Sequence, residues 1–414
     1  MSKSIVAISK RNSYYYPAKE TRFRPDKKYP EYKWKQEVSD YNPVYEQVRE
    51  VLYLLGYDKQ NYGTDNWNPL SKIIKKGDTV VLKPNLVMDR NPDGGVQCLF
   101  TQASVVAAVI DYVCLALDGT GTIIVGDAPM QHCDWNALMN ESGYPEMIDF
   151  YIEKGIDIKL IDFREVYSTC VGGITYQKFN DFAEGIVVHL DKDSAFCNIP
   201  NENYEKMRIT NYDPDELRKH HNGQKHEYYI SKQVLEADVI INMPKPKTHR
   251  KAGFTAALKN LIGVNVRKEY LPHHTIGAIS EGGDEYLRKN RLHSLQSVLL
   301  DKKNNAAANE QYLKAKFYRY MIAAVGRLRT DKDSYVEGSW YGNNTISKTI
   351  ADLNRIVKYA DKKGNMQEKP QRIFFSIADM IVSGDNKLND LPDEARLDWI
   401  LYEAQTRLQK ENKH

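Results

Sequence analysis

The chain has 414 residues, of which 42% are hydrophobic, enough for a substantial core in one large or two moderate domains. Its 58 basic and 55 acidic residues leave a formal net charge of +3, so nothing global points to nucleic acid or a membrane surface, and any basic site has to be local. The five cysteines are odd in number, far apart and never in Cys-x-x-Cys spacing, which suggests neither a disulfide framework nor a thiolate cluster.

The opening run Met1–Lys10 is too short for a signal peptide and fits a first strand better. No segment approaches the roughly 18 apolar residues that cross a bilayer, and a cytoplasmic protein is the expectation. From Pro43 to Gly56, Val44, Val48, Val51, Leu52 and Leu55 share one helical face, with Gly56 as the stop. Thr79–Val87 reads as a buried strand that ends in a polar knot, Lys83-Pro84-Asn85. Thr101 is expected to cap a long apolar helix, Ala103–Leu117, halted by Asp118-Gly119. Thr122–Pro129 is the next strand, Tyr144–Lys154 a helix and Ile156–Phe163 another strand.

The stretch from Ser168 to Tyr228 shows no helix period and reads as an irregular, hairpin-bearing insertion; its His220, His221 and His226 are expected to be solvated. Further on come a short buried strand, Ala237–Asn242, helices over Gln311–Arg327 and Thr345–Tyr359, a strand Ile373–Asp379, and a last helix Asp393–Leu408. Strands separated by helices of ten or more residues predict an α/β fold, a mainly parallel sheet with helices on both faces, plus the irregular insertion. The expected division is an α/β part over 1–165, the insertion over 166–230, a second α/β part over 231–390, and a C-terminal helix and tail over 391–414.

Ligands of such sheets bind beyond the carboxyl ends of the strands. Four polar knots occupy those ends: Lys83-Pro84-Asn85; Gly126-Asp127-Ala128-Pro129 with His132 and Asp134; the arm from Lys245 to His249; and Asp379 with Ser383-Gly384-Asp385-Asn386. The arm, Met243-Pro244-Lys245-Pro246-Lys247-Thr248-His249, is stiffened by its two X-Pro steps. It leads through Gly253 to an expected helix over 255–261 that Thr255 is placed to cap. Cations converging on free backbone N–H groups suit the capture of an anion.

Lysines at apolar strand ends can hold a carboxylate or phosphate, or lose enough basicity to act as a base. Lys83, Asn85, Lys245, Lys247, Asn260 and His274 are therefore candidates for holding substrate, and His249, Lys259 and Asp127 for catalysis. His273 and His274 point to opposite sides if extended, so at most one faces the cleft. Oxygen and imidazole donors at His132, Asp379 and Asp385 make a divalent metal one option. Asp and Asn are also ordinary turn formers, and Trp340-Tyr341 can line a pocket or fill a core. Signatures of nucleotide-binding loops, dinucleotide folds, zincins and hydrolase elbows are absent from the sequence.

Several segments together resemble the family named domain of unknown function 362. They are Val80–Val87; Val125-Gly126-Asp127-Ala128-Pro129; Asn242–His249 with Ala257-Leu258-Lys259-Asn260-Leu261-Ile262-Gly263; Gly338–Thr345; Asp352-Leu353-Asn354-Arg355-Ile356; and Tyr359-Ala360-Asp361-Lys362. Some members carry iron–sulfur ferredoxin modules; the cysteines for one are missing here, so the resemblance implies no such cluster. Where the family has an acidic-glycine motif, this chain has Ser383-Gly384-Asp385-Asn386-Lys387. A fainter likeness, of order and spacing, is to lactate-racemase-type nickel-pincer enzymes, in His132, His249, Lys259 and then His273 or His274.

The resulting expectation is an enzyme that binds a small carboxylate- or phosphate-bearing molecule and works by Lys/His acid–base chemistry of isomerase or lyase type. The alternatives are a non-catalytic protein binding a phosphometabolite or nucleotide, and a metal- or pincer-dependent racemase-like enzyme. No nucleic-acid or membrane partner is expected, and the cofactor and oligomeric state stay open.

Overall fold

A computed structural model describes residues 5–11, 15–34, 37–91, 95–171, 174–210, 212–328 and 337–382. Five strands form one sheet: β1 (Thr79–Pro84), β2 (Thr122–Asp127), β3 (Ile158–Asp162), β4 (Val239–Met243) and β5 (Ile373–Ser376). Their spatial order is β5-β4-β1-β2-β3, and every neighbouring pair is parallel. The chain thus steps outward from β1 to β3, then returns to the other side of β1 for β4. That reversal puts a switch point between the carboxyl ends of β1 and β4, the usual place for a ligand in an open parallel sheet.

Strand alternation divides the apolar residues between two faces. Val80, Leu82, Ile123, Val125, Val239 and Ile241 face one core, with helices α1 (Pro43–Leu54), α2 (Ala103–Leu117) and α3 (Tyr144–Ile152). Val81, Ile124 and Ile240 face the other, which helix α6 (Thr345–Tyr359) closes. Two further helices, α4 (Arg291–Ala308) and α5 (Tyr312–Leu328), pack along each other. The α/β expectation, with helices on both faces of a parallel sheet, holds.

Several local expectations do not. Residues 5–10 form no strand, and Ile5, Val6 and Ile8 are exposed, because no sheet edge receives them. Thr101 does not cap α2; its hydroxyl donates to Met243 O at 2.7 Å and accepts from Asn85 N at 3.0 Å, tying β4 to the exit of β1. The insertion contains real pairing, Val166–Val171 with Ile174–Phe179 and Gly185–His189 with Glu227–Ser231, plus a helix Pro214–His220. His221 and His226 are buried, with His221 Nε2 on Tyr270 O at 2.8 Å. Helices Trp135–Ser142, capped by the Asp134 carboxylate, and α4 were not foreseen. The expected helix Asp393–Leu408 lies outside the described residues.

Asp352 fastens α6 to the insertion. Its carboxylate accepts Ser194 Oγ at 2.5 Å, Ala195 N at 2.7 Å and Tyr228 OH at 2.9 Å, and is almost wholly buried. Asp352→Ala would leave the buried Ser194 and Tyr228 hydroxyls unpaired, each costing about 1–3 kcal/mol, along with the part-buried Ala195 N–H. A loss of at least ~3 kcal/mol in urea unfolding is expected; a change below ~1 kcal/mol would contradict this role.

Candidate functional site

Two buried ion pairs stand at the carboxyl ends of β1, β2 and β4. Lys83 Nζ meets Asp127 Oδ1 at 2.7 Å and donates to Pro84 O at 2.8 Å. Asp127 also accepts Leu86 N at 2.6 Å and Ala128 N at 2.8 Å, so both its oxygens are engaged. A Cβ on Gly263 would fall 1.8 Å from Asp127 Oδ1 and 2.9 Å from Lys83 Nζ. Only glycine lets the backbone after the Leu-Lys-Asn segment approach this pair. The second pair joins Lys245 Nζ to Asp379 Oδ2 at 2.9 Å, with Tyr16 OH donating to Asp379 Oδ1 at 2.7 Å. Burial lowers the pKa of both Lys83 and Lys245, against the pull of their carboxylates. The same burial, aided by Asp379, keeps Tyr16 a neutral phenol.

Amides brace the frame. Asn260 Nδ2 donates to Lys83 O at 3.1 Å and to Asn242 Oδ1 at 2.8 Å, while Asn242 Nδ2 donates to Ala257 O at 2.9 Å. Asn85 Nδ2 donates to Leu99 O. These bonds hold the Leu258-Lys259-Asn260 turn across the ends of β1 and β4.

The basic arm is not a plain extended segment. Lys247–His249 pairs antiparallel with Gly253–Thr255, so the expected helix over 255–261 shrinks to Ala257–Asn260, and Ala256 stands at its start in place of Thr255. This hairpin turns Lys247, His249 and Lys251 inward. The groups lie close enough to oppose one another's protonation. After burial, the largest influences are Lys259 on Lys247, Lys259 on His249, Lys251 on Lys259, and Lys251 on His273. Burial leads in every case, bringing Lys247 to about 7, Lys251 to about 8 and Lys259 to about 8. Lys268, behind them, falls to about 7 for the same first reason.

Counter-charge is scarce in this cluster. Lys247 donates to Leu99 O at 3.2 Å, Lys251 to Thr210 Oγ1 at 2.7 Å and Lys268 to Ala128 O at 2.9 Å, all neutral oxygens. Among the described residues, no hydrogen bond or ion pair engages Lys259 Nζ. The histidines are held neutral by burial and by these lysines. Two backbone N–H groups, of Lys251 and Ala252, donate to His249 Nδ1 at 3.1 Å each, so the neutral ring carries its proton on Nε2. His273 has the opposite tautomer: Nδ1–H donates to Leu271 O at 2.7 Å and leaves Nε2 as an acceptor.

The structure therefore gathers Lys247, His249 and Lys259, with Asn260 bracing them and Lys83, Asn85, Asp127, Lys245 and Asp379 sealed immediately behind. Of the adjacent histidines, His273 couples to His249 and Lys259. His274 is buried beside Lys251 and Arg208, and its Nδ1 has no hydrogen-bond partner among the described residues. His132 is exposed, and Asp379 is taken up by Lys245 and Tyr16. Asp385 lies outside the described residues. Among the described residues no three His, Cys, Asp or Glu side chains converge as metal ligands. Trp340 is core, its Nε1 donating to Asp284 O at 2.7 Å. Sequence reasoning missed Tyr16, Asn242, Lys268 and the placement of Lys251. Tyr16 gave no local signal, because its partner Asp379 is 363 positions away.

The family model described as Domain of unknown function (DUF362) matches residues 80–186 and 198–394. The chain belongs to the DUF362 family. It is also 26% identical over 194 residues to a thylakoid-associated protein of Synechocystis sp.; the match covers 47% of this chain and 41% of that relative, so the chain spans less than half the relative's length. The matched family segments include the lysines and histidines of the cluster described above but not Tyr16. Among the described residues no helix is long and apolar enough to cross a membrane.

Two measurements check this geometry. Gly263→Ala has to displace the Lys83–Asp127 pair and should cost about 3 kcal/mol or more in denaturant unfolding, far above the gain that Gly→Ala brings at a permissive site. The buried histidines 221, 226 and 274 and the half-buried 249 and 273 all have lowered folded pKa values, with His221 and His273 at about 3 and His226 at about 4. The unfolded chain binds more protons below about pH 6.5, so stability should fall as pH drops from about 6.5 toward 4. A flat unfolding free energy across that window would contradict their burial as neutral rings.

Proposed function

We propose that this protein is an enzyme that binds a small carboxylate- or phosphate-bearing molecule at the carboxyl ends of β1 and β4 and moves a proton next to that anionic group. One observation carries the reading: four lysines, 247, 251, 259 and 268, gather near the switch point with no carboxylate paired to them among the described residues, next to neutral histidines. Buried cations without counter-charge are unfavourable alone and become favourable when an anion enters. Lys247 and Lys251 then hold the anion. Lys83 and Lys245, whose ammonium groups are spent on Asp127 and Asp379, position the strand ends and do not touch it.

With its pKa lowered to about 8, Lys259 is partly neutral near pH 7 and able to accept a proton. His249 presents Nε2–H to the oxygen on which negative charge develops, as a neutral donor. His273 Nε2 is an acceptor for a second proton. Isomerase or lyase chemistry fits this set, since each starts from proton removal beside a carboxylate. Asp127 acts through Lys83 and is a positioning residue.

Solvent-deuterium incorporation into a panel of small hydroxy acids, keto acids and phosphoesters, followed by NMR, tests proton transfer. The native chain should label at least one compound, and Lys259→Ala and His249→Ala should slow labelling by about 10²–10⁴-fold while melting normally. Binding without exchange from about pH 6 to 10 would leave only a binding protein. Anion capture has its own readout. Because Lys247 and Lys259 shed their protons as pH rises through 7–8, phosphate should raise the melting temperature clearly at about pH 6.5 and much less at about pH 9. Lys247→Ala should reduce the low-pH effect; an unchanged response would remove the site from anion binding.

A further inference from the structure

Helix α5 has an apolar stripe that the other described residues leave uncovered. Leu313, Phe317, Tyr320, Met321, Ala324 and Leu328 recur at i, i+4, i+7, i+8, i+11 and i+15, one face of a helix. All six are exposed, Leu313 at 77% and Phe317 at 58%. The opposite face, with Val325 buried and Tyr318 and Ile322 partly covered, packs along α4. On α4, Leu295 and Val298 are exposed as well.

Charge identifies the occupant. From Tyr312 to Leu328 the helix has Lys314, Lys316, Arg319 and Arg327 and no acidic residue. At 100° per residue, the exposed Lys314 stands on one shoulder of the stripe and the exposed Arg327 on the other. Asp301 on α4 is already paired with Arg208 at 3.0 Å. A second copy laid on the same stripe would bring cation against cation, which opposes self-association. An apolar, aromatic stripe between basic shoulders matches the boundary between acyl chains and anionic headgroups. The near-neutral total charge conceals this, since the four basic residues of this helix have no acidic residue among them.

We propose that α5 is a docking surface for an anionic membrane, lying in the plane of the headgroup layer with its apolar stripe inward. This contact is peripheral and needs no spanning segment. It is independent of the chemistry assigned to the strand ends.

Sedimentation of the full chain with vesicles tests it. Phosphatidylcholine vesicles containing about a third phosphatidylglycerol should bind the protein about tenfold or more tightly than phosphatidylcholine alone, and the difference should vanish in high salt. The double variants Phe317→Ser/Met321→Ser and Lys314→Glu/Arg327→Glu should each lose most of the binding. Both alter exposed side chains, so unchanged melting curves show that the fold is intact. Absence of binding to either vesicle, equal binding to both, or a concentration-dependent dimer abolished by the serine variant would each overturn the proposal.

Discussion

A buried ammonium group is tolerable only beside negative charge, and this protein meets that constraint for some of its lysines and withholds it from others. Lys83 and Lys245 have their carboxylates and form a rigid, sealed layer behind the strand ends. Among the described residues, Lys247, Lys251 and Lys268 meet only neutral oxygens there, and Lys259 stands with them. The paired lysines make the frame stiff; the others have lowered basicity, chiefly through burial. Moving either carboxylate forward would quench the positive field, and removing it would leave the rear layer unstable. The two ion pairs and the unpaired cluster are thus parts of one electrostatic arrangement.

Periodicity made much of the scaffold legible. The β1, β2 and β4 runs are continuous apolar segments of the kind only a parallel sheet covered on both faces accommodates, and α2 and α6 occupy their expected spans to the residue. What could not be read was whatever depends on a distant partner. Thr101 looked like a helix cap because it precedes a helix, yet its hydroxyl is drawn to Met243 O, 142 positions away. His221 and His226 looked solvated because their neighbours are polar, and they are buried because Phe196 and Tyr228 close over them.

The site was legible as a list of basic residues, less so as a geometry. Pro244 and Pro246 correctly indicated a stiff departure from β4, but pairing of Lys247–His249 with Gly253–Thr255 is a tertiary decision that no helix or strand period announced. That hairpin converts a row of cations into a converging group. It also fixes the His249 tautomer, since the Lys251 and Ala252 amides reach Nδ1 only in the turned conformation.

Tyr16 has a consequence for how the molecule is made. Its hydroxyl joins Asp379, which is 363 positions downstream, and Lys245 beside it. During synthesis the start of the polypeptide waits, unclasped, until almost the whole sheet has emerged, including its outermost strand β5. Loop closure over such a span is slow and comes late. The rear layer of ion pairs is therefore among the final things to form, and a nascent or partly assembled chain lacks the clasp of Tyr16 and Lys245 on Asp379.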